Sequence, residues 1–163
     1  MQPTAEADAG TDGRAAPVAR LRFADMAVGR CAAVEQVLTA EDTRRFAELS
    51  GDVSPLHVDA AFARSRGYAR CVVHGAHLAA LVSRLVGVHL PGEAALLQSL
   101  SLQFKRPVLV GSRVRVTGVV DQLSEAVGAA VLRITVADAD DGRTVAAGKA
   151  TVGFTAETDH GRA

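Results

Sequence analysis

Gly75-Ala76-His77-Leu78-Ala79-Ala80-Leu81-Val82-Ser83-Arg84-Leu85-Val86-Gly87-Val88-His89 is the stretch on which the fold turns. Leu78, Leu81, Val82, Leu85 and Val86 recur at the i, i+3, i+4, i+7, i+8 spacing of one helix face. Ala76, Ala79 and Ala80 fill the remaining faces, so the helix is apolar nearly all round and belongs inside the protein. Pro91-Gly92 ends it. Beyond Gly92 the helical period gives way to alternation. Leu96 to Phe104, Arg113 to Leu123, Ala129 to Ala137 and Thr144 to Phe154 each read as a strand. In the third of these, Leu132, Ile134 and Val136 alternate with Arg133 and Thr135. Gly111-Ser112 and Asp141-Gly142 are turn signals, and long strands at short intervals predict an antiparallel meander.

On the other side of the helix, Gly29 to Leu38 reads as a first strand. Thr39 is placed to cap a helix, with Asp42 in the reciprocal capping-box position. Phe46 and Leu49 are three apart and can share one face of it, and Gly51 stops it. Asp52 to Leu56 then reads as a loop, because Pro55 drives Ser54 out of the helical region. A short amphipathic turn around Asp59 to Ala63 follows, closed by Gly67 and Tyr68. The expectation is one α+β domain over residues 18–156: a long apolar helix wrapped by a curved antiparallel sheet. Residues 1–17 and 157–163 read as tails.

The bulk numbers fit that frame. The chain has 163 residues, which suits one domain, and 48 % of them are hydrophobic. Lysine and arginine total 18 against 18 aspartate and glutamate, so no strong field draws the protein to nucleic acid or an anionic membrane. No run approaches the roughly 18 apolar residues of a membrane span. The N-terminal stretch lacks the apolar core of a secretion signal, and Glu6, Asp8 and Asp12 argue against an organelle transit peptide. Cys31 and Cys71 lack the spacing of a metal knuckle or redox pair and read as reduced thiols of a cytoplasmic protein. No Gly-rich loop joins a strand to a helix, which weighs against a nucleotide fold.

Chemistry concentrates in Gly51-Asp52-Val53-Ser54-Pro55-Leu56-His57. Its surroundings are apolar (Phe46, Leu49, Val53, Leu56, Val58, Phe62), and an Asp and a His five apart can converge on one small volume. Histidine near its ordinary pKa is the usual proton-transfer group at neutral pH, and a nearby carboxylate can orient it, hold water or move a second proton. On spacing alone, Asp52 capping a turn and His57 packing under the helix stays open. Gly75, at the start of the buried helix, is the second feature. Unpaired N–H groups there, with no Cβ in the way, make a natural oxyanion hole, although a plain helix-starting glycine would look the same. A proton-transfer pair, an oxyanion donor and no nucleophile suit addition of water across a double bond conjugated to a carbonyl, or its reversal.

Phe46-Ala-Glu-Leu-Ser-Gly-Asp52-Val-Ser-Pro-Leu-His57-Val-Asp59 resembles the hydratase motif of the MaoC-like, (R)-specific enoyl-CoA hydratases. The similarity runs on through Tyr68-Ala-Arg-Cys-Val-Val-His74-Gly75 and Gln98-Ser-Leu-Ser-Leu-Gln-Phe104-Lys-Arg-Pro-Val-Leu-Val-Gly111, and covers roughly Phe23 to Phe154. The resemblance implies a hot-dog fold and a homodimer with active sites near the subunit interface. It implies Asp52 and His57 as the catalytic pair, Gly75 N–H on the thioester carbonyl, and Ser83 in a supporting place. His74 and His77 flank that helix start as further oxyanion or substrate-binding candidates. The implied reaction interconverts a trans-2-enoyl thioester and water with an (R)-3-hydroxyacyl thioester, on CoA or an acyl carrier protein, with no cofactor or metal. The chain departs from the family at Ser54, often Asn there, and at His77, which would narrow or polarise the acyl pocket.

Arg64, Arg66 and Arg70 are the candidates for CoA phosphates or an acidic carrier, ahead of Lys105 and Arg106 at a strand end. His74 and His77 with Asp59 are the one arrangement that could ligate a metal, without identifiable supporting partners. His89 and His160 read as surface residues. The competing functions are a hot-dog thioesterase, which would lack the Asp52/His57 pair, and a non-catalytic subunit of a heteromeric dehydratase, which would have no need of Asp52, His57 and Gly75 together.

Overall fold

A computed structural model describes residues 17–155; residues 1–16 and 156–163, with His160 and nearly all of both expected tails, lie outside them. The expected strands form at almost the expected bounds: β1 (Cys31–Val37), β2 (Ala95–Phe104), β3 (Arg113–Ser124), β4 (Ala129–Asp138) and β5 (Thr144–Phe154). All pairings are antiparallel, and the sheet order is β1-β3-β4-β5-β2. Alternation explains the strands. On β4, Leu132, Ile134 and Val136 are wholly buried while Arg133 faces solvent.

Four short helices join β1 to β2: α1 (Ala40–Ser50), α2 (Pro55–Val58), α3 (Ala60–Ser65) and α4 (Gly75–Arg84). The apolar face of α4 supplies Leu78, Leu81 and Val82 to the core. Leu85 and Val86 continue it in a wider π-helical turn over Leu85–His89, where Leu90 N–H donates to Leu85 O at 3.0 Å. Widening the last turn lets Leu85, Val86 and Leu90 all bury their side chains against the sheet. The result is a helix laid across a curved antiparallel sheet, the hot-dog arrangement.

Three local expectations differ from what forms. The meander holds for β3-β4-β5 but not for β2, which pairs with β5 at the far edge. The buried helix and the turn at Pro91-Gly92 carry the chain there, where Leu97, Leu100 and Leu102 pack against the core. Leu49 does not share the inward face of α1; Thr43, Phe46 and Ala47 set that face, and Leu49 is 85 % exposed. The loop after Gly51 ends sooner than expected. Pro55, which cannot follow a helical residue comfortably, is well suited to begin one, and it starts α2 at its first position.

Candidate active site

Local chemistry brings the site together. The capping box forms as expected: Asp42 N–H donates to Thr39 Oγ1 at 3.1 Å, and Thr39 N–H to the Asp42 carboxylate at 3.0 Å. At the other end Gly51 adopts φ +75°, a conformation that a residue with a Cβ rarely takes, and its N–H reaches Ala47 O at 2.9 Å. The chain reverses there into Asp52. The Asp52 carboxylate accepts Ser54 N–H at 3.2 Å, an Asx-type turn that leads into Pro55.

His57 lies in the single turn of α2 and is half-buried. Its Nδ1 stands 2.6 Å from Val72 O. A carbonyl only accepts, so Nδ1 carries the proton and Nε2 of the neutral ring is left as the basic nitrogen. Val72 N–H returns a bond to Leu56 O at 3.1 Å, and Val73 N–H and Val110 N–H pair with Val108 O and Cys71 O at 2.8 and 2.9 Å. Residues 71–73 are therefore held between α2 and the segment that follows β2.

His74 occupies the N-cap position of α4, without a side-chain capping bond, and is 1 % exposed. Its Nε2 is 2.9 Å from the backbone oxygen of Asp52 and 4.0 Å from that residue's carboxylate. Its ring stacks on His57 with centroids 3.9 Å apart and planes at 27°. Phe46 lies 5.1 Å from His74 by ring centroids, and His77 stacks flat on Phe46 at 5.0 Å. Side-chain donor atoms of Asp52, His57 and His74 all fall within 4.8 Å of one another. Among the described residues, it is that trio and not His74, His77 and Asp59 whose ligand atoms come together. Asp59 instead caps α3, accepting N–H from Ala61 and Phe62 at 2.8 and 3.0 Å.

Beside His57 opens a cleft of about 350 Å³. His57, Val72, Val73, Gly75 and Leu78 line one side, and Phe104, Lys105, Arg106, Pro107 and Val108 the other. A Cβ at Gly75 would sit 3.1–3.3 Å from three atoms of the Phe104 ring, so the helix start and the aromatic wall approach closely because residue 75 is glycine. Gly75 is the first residue of α4, and its N–H has no acceptor within the helix.

The other sequence candidates fall elsewhere. Arg64, Arg66 and Arg70 do not line the cleft; Arg66 lies over the Phe62 ring at 4.8 Å, and the Arg70 guanidinium packs against the Gly111 turn. The lining cations are Lys105 and Arg106. Ser83 is on the exposed side of α4, eight residues from Gly75 and outside the lining. His77 is likewise outside it, so its place against Phe46 does not narrow the cleft. Burial holds the His77 imidazole below the usual histidine range; the Asp42 charge opposes this and neighbouring His74 adds to it. Burial, with Arg84 adding to it, also lowers His89, which is half-buried rather than on the surface. Of the wall from Phe104 to Val108, the sequence singled out only Lys105 and Arg106, and those as secondary phosphate candidates, because nothing in the spacing ties it to residues 51–75.

A basic nitrogen and a helix-start amide thus line a mostly apolar cleft, and a carboxylate oxygen of Asp52 lies within 4.8 Å of a ring nitrogen of His57. The MaoC like domain family matches residues 27–137. An (R)-specific enoyl-CoA hydratase of Aeromonas caviae is 44 % identical over 87 residues, 53 % of this chain and 65 % of that protein. The chain thus spans just under two thirds of that relative. An (R)-specific enoyl-CoA hydratase of Rhodospirillum rubrum is 33 % identical over 130 residues, 80 % of this chain and 89 % of the relative. Among solved structures, the (R)-hydratase from A. caviae involved in PHA biosynthesis superposes with a TM-score of 0.77 at 36 % identity, covering 80 % of this chain and 98 % of that one.

Proposed function

Because the chain belongs to the MaoC-like domain family, we propose that it is a cytoplasmic hydro-lyase interconverting a trans-2-enoyl thioester and water with an (R)-3-hydroxyacyl thioester. One observation carries this reading: the His57 Nδ1–H is tied to Val72 O, which leaves Nε2 as a base beside the cleft that Gly75 lines. The thioester carbonyl points at Gly75 N–H, where enolate charge develops; one such donor is worth about 3–4 kcal/mol in the transition state. Water held between Asp52 and His57 adds its OH to Cβ; the proton it gives up passes to His57 and on to Cα on the same face, with Asp52 assisting that transfer, so both groups end the cycle as they began it. The addition is syn. The reaction calls for no cofactor or metal, and EDTA should leave the rate unchanged.

Lys105 and Arg106, rather than Arg64, Arg66 and Arg70, take the phosphate end of the CoA or carrier arm, since they stand at the cleft. Leu49, Val53 and Val58 expose apolar surface around the catalytic loop, and β1 and β2 are free sheet edges; both features support a homodimer. Light scattering at micromolar concentration should give the dimer mass. The functional test is loss of the conjugated thioester absorbance with crotonyl-CoA and longer 2-enoyl-CoAs, followed by chiral analysis. The expected product is the (R)-3-hydroxyacyl thioester; no hydration of any chain length, or an (S) product, would reject the reading.

A further inference from the structure

We propose that His74 is a positioning residue for this site: it holds the Asp52 backbone and the face of the His57 ring, and never meets the substrate. The inference rests on the reading of His57 as the base.

The loop at residues 51–54 carries Asp52, yet its hydrogen bonds are nearly all local. Gly51 N–H donates to Ala47 O, Asp52 N–H to Ser50 Oγ, Val53 N–H to Gly51 O and Ser54 N–H to Asp52 Oδ1. Among the described residues, the single hydrogen bond fastening that loop to a distant part of the chain comes from His74, 22 residues along. Asp52 O is a carbonyl and can only accept, so Nε2 of His74 donates and the neutral ring keeps its proton there. Nδ1 is buried and has no partner. The same ring lies against His57 at 3.9 Å, while Phe46 closes from another side at 5.1 Å. Its backbone is fixed where the buried helix α4 begins.

His74 is therefore in contact with both groups of the pair. It is 1 % exposed, whereas Asp52 faces solvent and His57 lines the cleft, which separates it from the two groups that act on the substrate. Its work is geometric: it sets where the Asp52 carboxylate hangs and stops the His57 ring from tilting off the Val72 carbonyl. A displacement of about 1 Å at reacting groups can cost on the order of 10²-fold in rate.

The test compares His74→Leu, which fills the space without a donor, with His74→Gln, whose amide reaches the Nε2 position, and His74→Asn, whose amide falls short. His74→Leu and His74→Asn should lower kcat about 10²-fold with KM unchanged, and His74→Gln should recover most of it. Nitrogen-15 imidazole spectra should show His57 as the Nδ1–H tautomer in the parent and in His74→Gln, and as a mixture in the other two. If His74→Leu fails to fold, the Gln and Asn pair still decides. Wild-type kcat in folded His74→Leu or His74→Asn, or Gln as impaired as Asn with an unchanged His57 spectrum, would overturn the proposal. His57→Ala, measured alongside, separates the two readings: full activity there rejects the base itself. Loss there with full activity in the His74 variants rejects only the positioning role.

Discussion

The sheet with α4 and the segment from Gly51 to Gly75 are built on opposite plans. In the first, Leu132, Ile134, Val136, Val82 and Leu85 have essentially no exposed surface. Its stability is spread over many apolar contacts, any one of which is a modest share of the whole. In the second, Asp52, Val53, Ser54 and Pro55 face solvent, and the arrangement hangs on a few hydrogen bonds to backbone carbonyls: His57 to Val72, Val72 to Leu56 and His74 to Asp52. Stability and chemistry therefore occupy different residues. A substitution in one region should move one observable and leave the other nearly still.

The largest effect belongs to the loop. His57→Ala or Asp52→Asn should lower turnover by about 10²–10⁴, the range for a lost proton-transfer group, while thermal melting stays close to the parent. A collapse in melting temperature with activity per folded molecule preserved would invert the comparison. The core gives the complementary result. Leu132→Ala removes a wholly buried side chain and should cost about 2–5 kcal/mol in urea unfolding, with kcat of the folded fraction unchanged. A large fall in kcat without loss of stability would show that the two regions are coupled.

Gly75 lies where they meet. Gly75→Ala puts a methyl 3.1–3.3 Å from the Phe104 ring, which is half in solvent and can swing away. A drop in kcat/KM of roughly tenfold, about 1.4 kcal/mol, is expected, with little change in stability and partial recovery in the double variant with Phe104→Leu. An equally large loss of stability would place Gly75 with the core instead.

The smallest effect is a pH slope. Burial sets the folded pKa of His77 below the ordinary 6.5, so the unfolded chain takes up its proton first as pH falls. The contribution is unaffected at pH above 6.5 and becomes destabilising as pH drops below it. His77→Phe keeps the stack on Phe46 and should flatten the decline in melting temperature between about pH 7 and 5. The slope should not vanish, because His89 is lowered in the same direction. An unchanged slope would remove His77 from the account of acid sensitivity.

The same contrast explains what was legible in the sequence. Periodicity reports burial, so the strands and the buried helix could be read almost to their ends: Leu132, Ile134 and Val136 announce an inward face without knowledge of any partner. Periodicity does not report neighbours. Nothing in Leu96 to Phe104 says that this strand pairs with β5 rather than β3. The site divides likewise. Asp52, His57 and Gly75 stand out because their residue types carry chemistry in an apolar setting, and a family resemblance joined them. The wall at Phe104 to Val108 and the bond from His74 to the Asp52 carbonyl are products of folding between segments distant in sequence. Arg64, Arg66 and Arg70 stood out because three like charges follow the loop; in the fold they lie outside the cleft lining, which holds Lys105 and Arg106.

The central claim is that Asp52 and His57, both carried by one short exposed segment, work on one face of a substrate whose carbonyl is held by Gly75. Hydration of crotonyl-CoA in D₂O, stopped at low conversion and followed by NMR of the product, reads that geometry directly. The account predicts OH at Cβ and deuterium at Cα on the same face, syn, in the (R)-3-hydroxy product. An anti or scrambled product under those conditions would contradict it, even with hydratase activity present.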